Sequence, residues 1–87
     1  MFFNFISTNC KRIFSNSQFV KNRLIPINRI QQIDLGYDQH RKLHTIKFFS
    51  DNKELLINIS YNDEQVAKDT YNMVLNKINN KENVITL

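Results

Sequence analysis

An 87-residue chain with 41% hydrophobic residues has room for one small domain with one modest core. Its charged fraction of 23% and aromatic fraction of 11% are unlike those of a disordered segment, and the presence of one glycine and one proline excludes a glycine-rich phosphate-binding loop. A single cysteine, Cys10, excludes an internal disulfide and a zinc site built from several cysteines. One thiol is typical of a reducing compartment, so we expect a cytoplasmic protein.

The net charge of +4 is concentrated in the first third of the chain. No acidic residue precedes Asp34. Five basic residues do, and they are Lys11, Arg12, Lys21, Arg23 and Arg29. Such an imbalance, interleaved with Phe14 and Phe19, is typical of a segment that binds nucleic acid or another anionic surface. The alternative is that the aromatic rings are buried and the imbalance is only a mild surface charge.

The N-terminal third permits several interpretations. The opening "MFFNFIS" predicts a strand, although the acid-free start also resembles an organelle transit sequence in composition. Its apolar run is too short and interrupted for a secretory signal or a membrane span. We therefore assign residues 1–17 to an additional strand or arm. The next segment, "SQFVKNRLIPIN", predicts two short strands around a turn at Lys21–Arg23, with Pro26 confining this piece to a sheet edge.

Three further strands are predicted by alternation of apolar and polar residues. They are "RIQQIDLGY", "LHTIKFF" and "ELLINIS". Asp51 and Asn52 tolerate positive φ and predict a tight turn between the last two strands. Short polar connections make the three strands an antiparallel meander. Strict alternation places Phe49 and Leu56 opposite the core residues of this sheet.

The clearest local signal is a helix over about residues 62–79. Asn62 is predicted as the N-cap, and Gln65 has the spacing of a capping box. Apolar residues then recur at helical spacing along one stripe, which consists of Ala67, Tyr71, Val74 and Ile78. An isolated helix of this length is marginal in water, so the stripe must dock on the sheet.

The sequence therefore predicts an α+β fold, an antiparallel β-meander of about four or five strands with one C-terminal helix packed on one face. Residues 1–80 form a single domain, and 81–87 form a tail that either frays or adds a late strand through Val84 and Ile85. The pattern over residues 18–79 consists of "FVKNRLIPINRIQQIDL", "HTIKFF", "ELLINIS" and "NDEQVAKDTYNMVLNKI". It resembles a loose class of small bacterial and phage proteins with a sheet and an acid-capped helix. That resemblance implies a shape and no catalytic signature.

Catalytic and metal-binding motifs are not predicted. His40 and His44 are four residues apart, but we place them in a loop and at a strand start, where this spacing does not converge on a metal. No local nucleophile signature surrounds Cys10, and burial as a small apolar residue is the simpler interpretation. We expect no enzyme activity and no cofactor.

The expected function is therefore a non-catalytic protein–protein interaction or assembly module that self-associates, as a homodimer. Its candidate interface residues are Phe2, Phe49 and Leu56, which the alternation places away from the core. The alternative is binding of nucleic acid or an anionic surface through the five basic residues of the first third.

Overall fold

Eight strands and one α-helix make up the fold in the computed structural model, which describes residues 2–8, 11–16 and 18–87. The elements in chain order are β1 (Phe2–Ile6), β2 (Lys11–Ser15), β3 (Gln18–Val20), β4 (Asn22–Pro26), β5 (Gln32–Asp38), β6 (Leu43–Phe49), β7 (Leu55–Tyr61), α1 (Glu64–Asn79) and β8 (Val84–Thr86). A short 3₁₀ turn at Ile27–Arg29 connects β4 to β5.

The large sheet has five antiparallel strands in the order β3-β2-β7-β6-β5. The predicted meander is confirmed, because β5, β6 and β7 are neighbours in chain order. Their register pairs Ile46 with Ile59 and Phe48 with Ile57, and all four side chains are fully buried. We call the face that carries them the inner face.

A small sheet of three strands, in the order β4-β1-β8, packs on this inner face. Its central strand β1 is antiparallel to β4 and parallel to β8. The rings of Phe3 and Phe5 lie edge-on to Phe48 of the large sheet, with centroids 5.4 and 5.0 Å away. Three aromatic side chains thus form the centre of the core, in the geometry that aromatic pairs prefer.

The helix α1 packs beside the small sheet, against β5, β6 and β7. The predicted stripe faces the core: Ala67 and Val74 are fully buried, and Tyr71 and Ile78 are half-buried against the same cluster. Because Glu64 and Ala67 share a depression with Leu35, Tyr37 and His44, the helix lies on the inner face. The α+β class with a helix packed on a sheet is confirmed.

The two strands predicted around Lys21–Arg23 do not form a hairpin. Strand β3 belongs to the large sheet and β4 to the small one. Only Lys21 separates them, and one residue is too short a connection to reverse the chain. The Lys21 carbonyl oxygen instead accepts a hydrogen bond from the N–H of Ser7 (2.8 Å), where the chain passes from one sheet to the other.

Leu56 is buried rather than exposed, contrary to the strict alternation predicted for its strand. The register between β6 and β7 shifts at this point, since Phe48 pairs with Ile57 whereas Phe49 pairs with Leu55. Leu56 is the extra residue that this β-bulge leaves without a partner. A bulge breaks the period of two, which allows the consecutive residues Leu56 and Ile57 both to enter the core.

Two local details also differ from the expectation. The N-cap is Asp63 rather than Asn62, since the Asp63 Oδ1 accepts a hydrogen bond from the N–H of Gln65 (2.8 Å). In the turn between β6 and β7, positive φ is adopted by Lys53 (61°) rather than by Asp51 or Asn52. The N–H of Lys53 closes this turn on the Ser50 carbonyl oxygen at 3.0 Å.

Candidate interaction surfaces

The five basic residues of the first third do not form one patch. Lys11 and Arg12 are consecutive in β2 and therefore point to opposite faces of the large sheet. Arg12 is exposed on the outer face, where the rings of Phe14 and Phe19 pack edge-on at 5.9 Å. Lys11 is half-buried on the inner face, and this burial lowers the pKa of its ammonium group. Lys21 is exposed at the crossing between the two sheets.

Of these five residues, Arg23 and Arg29 share one depression. It has a volume of about 310 Å³ and lies near the bulge. One Arg23 nitrogen, Nη1, already donates a hydrogen bond to the Ser15 Oγ at 3.0 Å, and Glu54 lines the same depression. Because this carboxylate lines the same depression as the two guanidinium groups, it offsets part of their charge, and we assign no phosphate site to the depression.

The three predicted interface residues are also separated. Phe2 is exposed on the small sheet, Phe49 is half-buried on the outer face of the large sheet, and Leu56 is in the core. Of the three, Phe2 belongs to a larger apolar surface. The extent of that surface cannot be read from the sequence pattern.

This surface is the side of the small sheet that points away from the core. Phe3, Phe5, Ile25 and Ile85 point inward, so the alternate residues of β1, β4 and β8 point outward. The outward residues, which we call the apolar face, are Phe2, Asn4, Ile6, Asn22, Leu24, Pro26, Val84 and Thr86. None of these eight residues is charged. Four large apolar side chains remain accessible: Phe2 at 39%, Ile6 at 36%, Leu24 at 57% and Val84 at 50%.

A second surface is the free edge of the large sheet at β5. This strand pairs with β6 over its full length of seven residues, from Gln32 to Asp38, and its other side has no neighbouring strand among the described residues. The backbone N–H groups of Arg41 and His40 donate to Asp38 Oδ1 at 3.2 and 3.0 Å, and they hold the pKa of that carboxyl below its ordinary value. The strand thus ends in a charged, well-anchored carboxylate.

A depression of about 490 Å³ lies between this edge and the first turns of α1. It is lined by Leu35, Gly36, Tyr37, His44, Glu64, Ala67 and Lys68. The rings of Tyr37 and His44 are 4.8 Å apart. Lys68 forms an ion pair with Glu64 at 3.0 Å, and this contact lowers the pKa of Glu64. Since the carboxylate and the ammonium group contact each other, we assign no reaction to this depression.

The predicted histidine pair is divided between two environments. His40 is exposed in the loop after β5, and His44 is half-buried in β6. Within residues 2–8, 11–16 and 18–87, no three histidine, cysteine or acidic side chains gather into a set that could hold a metal. Cys10, for which burial and a nucleophilic role are the alternatives, lies outside the described residues.

No family model, curated protein or solved structure matches this chain. In the part of the chain that the structure describes, no helix has the length and apolar character needed to span a bilayer. The interpretation of the surfaces therefore depends on their own chemistry.

Proposed function

We propose that the protein is a small non-catalytic interaction module that associates with further copies of itself through the apolar face. One observation carries this proposal: an exposed sheet surface of eight residues, four of them large and apolar, contains no charge. Exposed apolar patches on small domains are typical of association surfaces. The alternative function is nucleic-acid binding. The five basic residues are scattered, so this alternative has no surface comparable to the apolar face.

A second copy suits this surface better than a charged partner does. Each copy has a net charge of +4, so two copies repel each other at long range. Contact between two apolar faces would place no like charges opposite each other, because the face has none. Stacked sheets pack about 10 Å apart through alternate side chains, and the outward residues of β1, β4 and β8 have this arrangement.

The size of the face sets the expected strength. Two of the strands have five residues and β8 has three. With strands about 4.8 Å apart and residues about 3.3 Å apart, the footprint is at most roughly 15 by 16 Å. A standard interface buries about 800 Å² on each partner. The contact through this face alone should therefore be weak and concentration-dependent.

Sedimentation velocity over a concentration series tests the proposal. We expect the weight-average mass of the wild type to rise with concentration, and Leu24→Lys to reduce this rise because it would bury two ammonium groups between the stacked faces. The control is Val66→Lys, which changes another accessible apolar residue, on the helix (41% exposed, against 57% for Leu24). A monomeric wild type at every concentration, or equal effects of the two substitutions, would refute the proposal.

A further inference from the structure

We propose a second self-association contact, in which the free edge of β5 pairs with β5 of a second copy. The two strands are antiparallel and related by a twofold axis at Leu35, so that two five-stranded sheets become one sheet of ten strands. This inference goes beyond the apolar face and does not depend on it. It rests on the length of the edge, its pattern of charges and its apolar flank.

The β5 edge is the longest free strand edge among those that the structure describes. The other three edge strands are short or contain proline: β3 and β8 have three residues each, and β4 ends in Pro26. Proteins usually blunt an exposed edge with charged side chains, lysine above all, or with proline, a bulge or a short strand, and the charges of β5 are those of Asp34 and Asp38. Strand β5 has seven residues, no lysine, no proline and no shift of register against β6. Its free N–H and C=O groups can therefore extend the sheet.

The sequence of β5 selects one register for this pairing. Pairing about Leu35 places Leu35 opposite Leu35, Asp34 opposite Gly36, Ile33 opposite Tyr37 and Gln32 opposite Asp38 of the second copy. No two carboxylates face each other. Moving the axis to Asp34 would oppose Asp34 to its own copy, and moving it to Gly36 would oppose Asp34 to Asp38. Like charges directly opposite each other destabilise a pair of strands, so the register about Leu35 is favoured.

Apolar side chains flank the edge on its inner side. Leu35 is 39% exposed and Tyr37 is 52% exposed, although both point toward the layer that contains the helix. Glu64 and Lys68 of the helix line a depression with them, and helical spacing continues this row to Leu75, which is also accessible. In the proposed register the exposed parts of Leu35 and Tyr37 pack against Leu35 and Ile33 of the second copy. The contact therefore combines backbone hydrogen bonds with burial of apolar surface.

The register also fixes which layers meet. A twofold axis perpendicular to the sheet keeps the inner faces of both copies on the same side. The two helices then lie next to each other on either side of the axis, and both apolar faces point to the same side of the ten-stranded sheet.

A charge series at position 36 tests this contact and its register. A Cβ atom at Gly36 would approach only the Thr45 Oγ1, at an ordinary 3.5 Å, so substitutions there should fold. Gly36→Asp would place a carboxylate opposite Asp34 twice in each dimer. Gly36→Lys would place an ammonium group at the same two positions. Gly36→Asn is the uncharged control. Relative to Gly36→Asn, we expect the dimer dissociation constant to rise about two- to thirty-fold for Gly36→Asp and to fall by a similar factor for Gly36→Lys.

These measurements are made by sedimentation in a Leu24→Lys background, so that the apolar face does not contribute. Both differences should shrink at high salt. Equal association of the three variants overturns the contact. Weakening by both charges overturns the register, because it indicates an axis at Gly36 that brings like charges together. Association that responds to substitution at position 36 but not to Leu24→Lys would support the β5 contact and refute association through the apolar face. Association that responds to Leu24→Lys but not to position 36 would support the apolar face and refute the β5 contact.

Oxidative crosslinking provides a direct measure of the register. In a Cys10→Ser background, Leu35→Cys should form a disulfide-linked dimer, since directly opposite antiparallel residues have the Cα separation that a disulfide needs. Ile33→Cys is the control, because two copies of that residue lie four residue positions apart along the paired strands. Crosslinking at 33 and not at 35 would contradict the proposed axis.

Discussion

At the scale of single residues, Tyr61 combines burial with an unsatisfied polar group. Its side chain is only 2% exposed, and its hydroxyl oxygen makes no hydrogen bond of ordinary geometry with the residues that the structure describes. Burial raises the pKa of the phenol, and the nearby Thr70 hydroxyl offsets this rise in part while donating its own hydrogen bond to the Val66 carbonyl oxygen. The folded state therefore retains the Tyr61 proton at pH values where the unfolded state has lost it.

This difference predicts a stability change at alkaline pH. Because the pKa in the folded state lies above the ordinary value of 10.0, the contribution of Tyr61 is fully present below pH 10 and is lost as the pH rises through the folded-state pKa. Tyr61→Phe should change the free energy of unfolding by less than about 1 kcal/mol at neutral pH, since no well-formed hydrogen bond is lost. Above pH 10 the variant should lose less stability than the wild type.

Urea denaturation at a series of pH values measures both effects. Lys11, which pairs with Tyr61 in register, has a lowered pKa and contributes with the opposite sign. It is present in both proteins, so it largely cancels in the difference between them. Parallel stability curves for wild type and Tyr61→Phe above pH 10 would contradict the assignment.

At the scale of the elements, the helix and the meander follow from local rules. Alternation in β5 and β6 and the stripe of α1 involve residues close in sequence, and these elements are confirmed. The bulge at Leu56 and the crossing at Lys21 depend on how one strand meets another. Neither has a local signature, so strict alternation predicts the wrong face for Leu56, and the two short strands predicted around Lys21–Arg23 carry no sign that the chain changes sheets between them.

The start of the helix provides a test at this scale. Two adjacent residues, Asn62 and Asp63, are both good caps by type, and only the structure distinguishes them. Asp63→Ala should cost about 1 kcal/mol of unfolding free energy, because it removes the hydrogen bond to the N–H of Gln65 and a negative charge near the helix N-terminus. Asn62→Ala should be nearly silent. If thermal or urea unfolding shows a larger loss of stability for Asn62→Ala than for Asp63→Ala, the N-cap is Asn62.

At the scale of the whole molecule, the small sheet joins the two ends of the chain. Phe3 pairs with Ile25 on one side and with Ile85 on the other. The sequence of residues 81–87 is compatible with a frayed tail or with a late strand. The structure has the strand, with Ile85 and Leu87 buried. The apolar face could not be delimited from the sequence, because its three strands are far apart in the chain and β8 has only three residues.

Substitution of two neighbouring residues tests the contribution of β8. Ile85→Ala should reduce the free energy of unfolding by about 2–5 kcal/mol, because it leaves a cavity in the core. Val84→Ala, on the accessible side of the same strand, should cost much less. Urea denaturation of both variants gives the comparison. If both substitutions are equally mild, the last strand does not contribute to the core.

The parallel pairing of β1 with β8 also constrains how the protein is made. A ribosome releases residues 2–6 first and residues 84–86 last of all these elements, yet the side chains of Phe3 and Ile85 must pack together. The nascent chain therefore exposes one edge of β1, together with the side chain of Phe3, until β8 has left the exit tunnel. Contacts between such distant segments fold slowly, so this interval is when the chain is most open to aggregation or to binding by a chaperone.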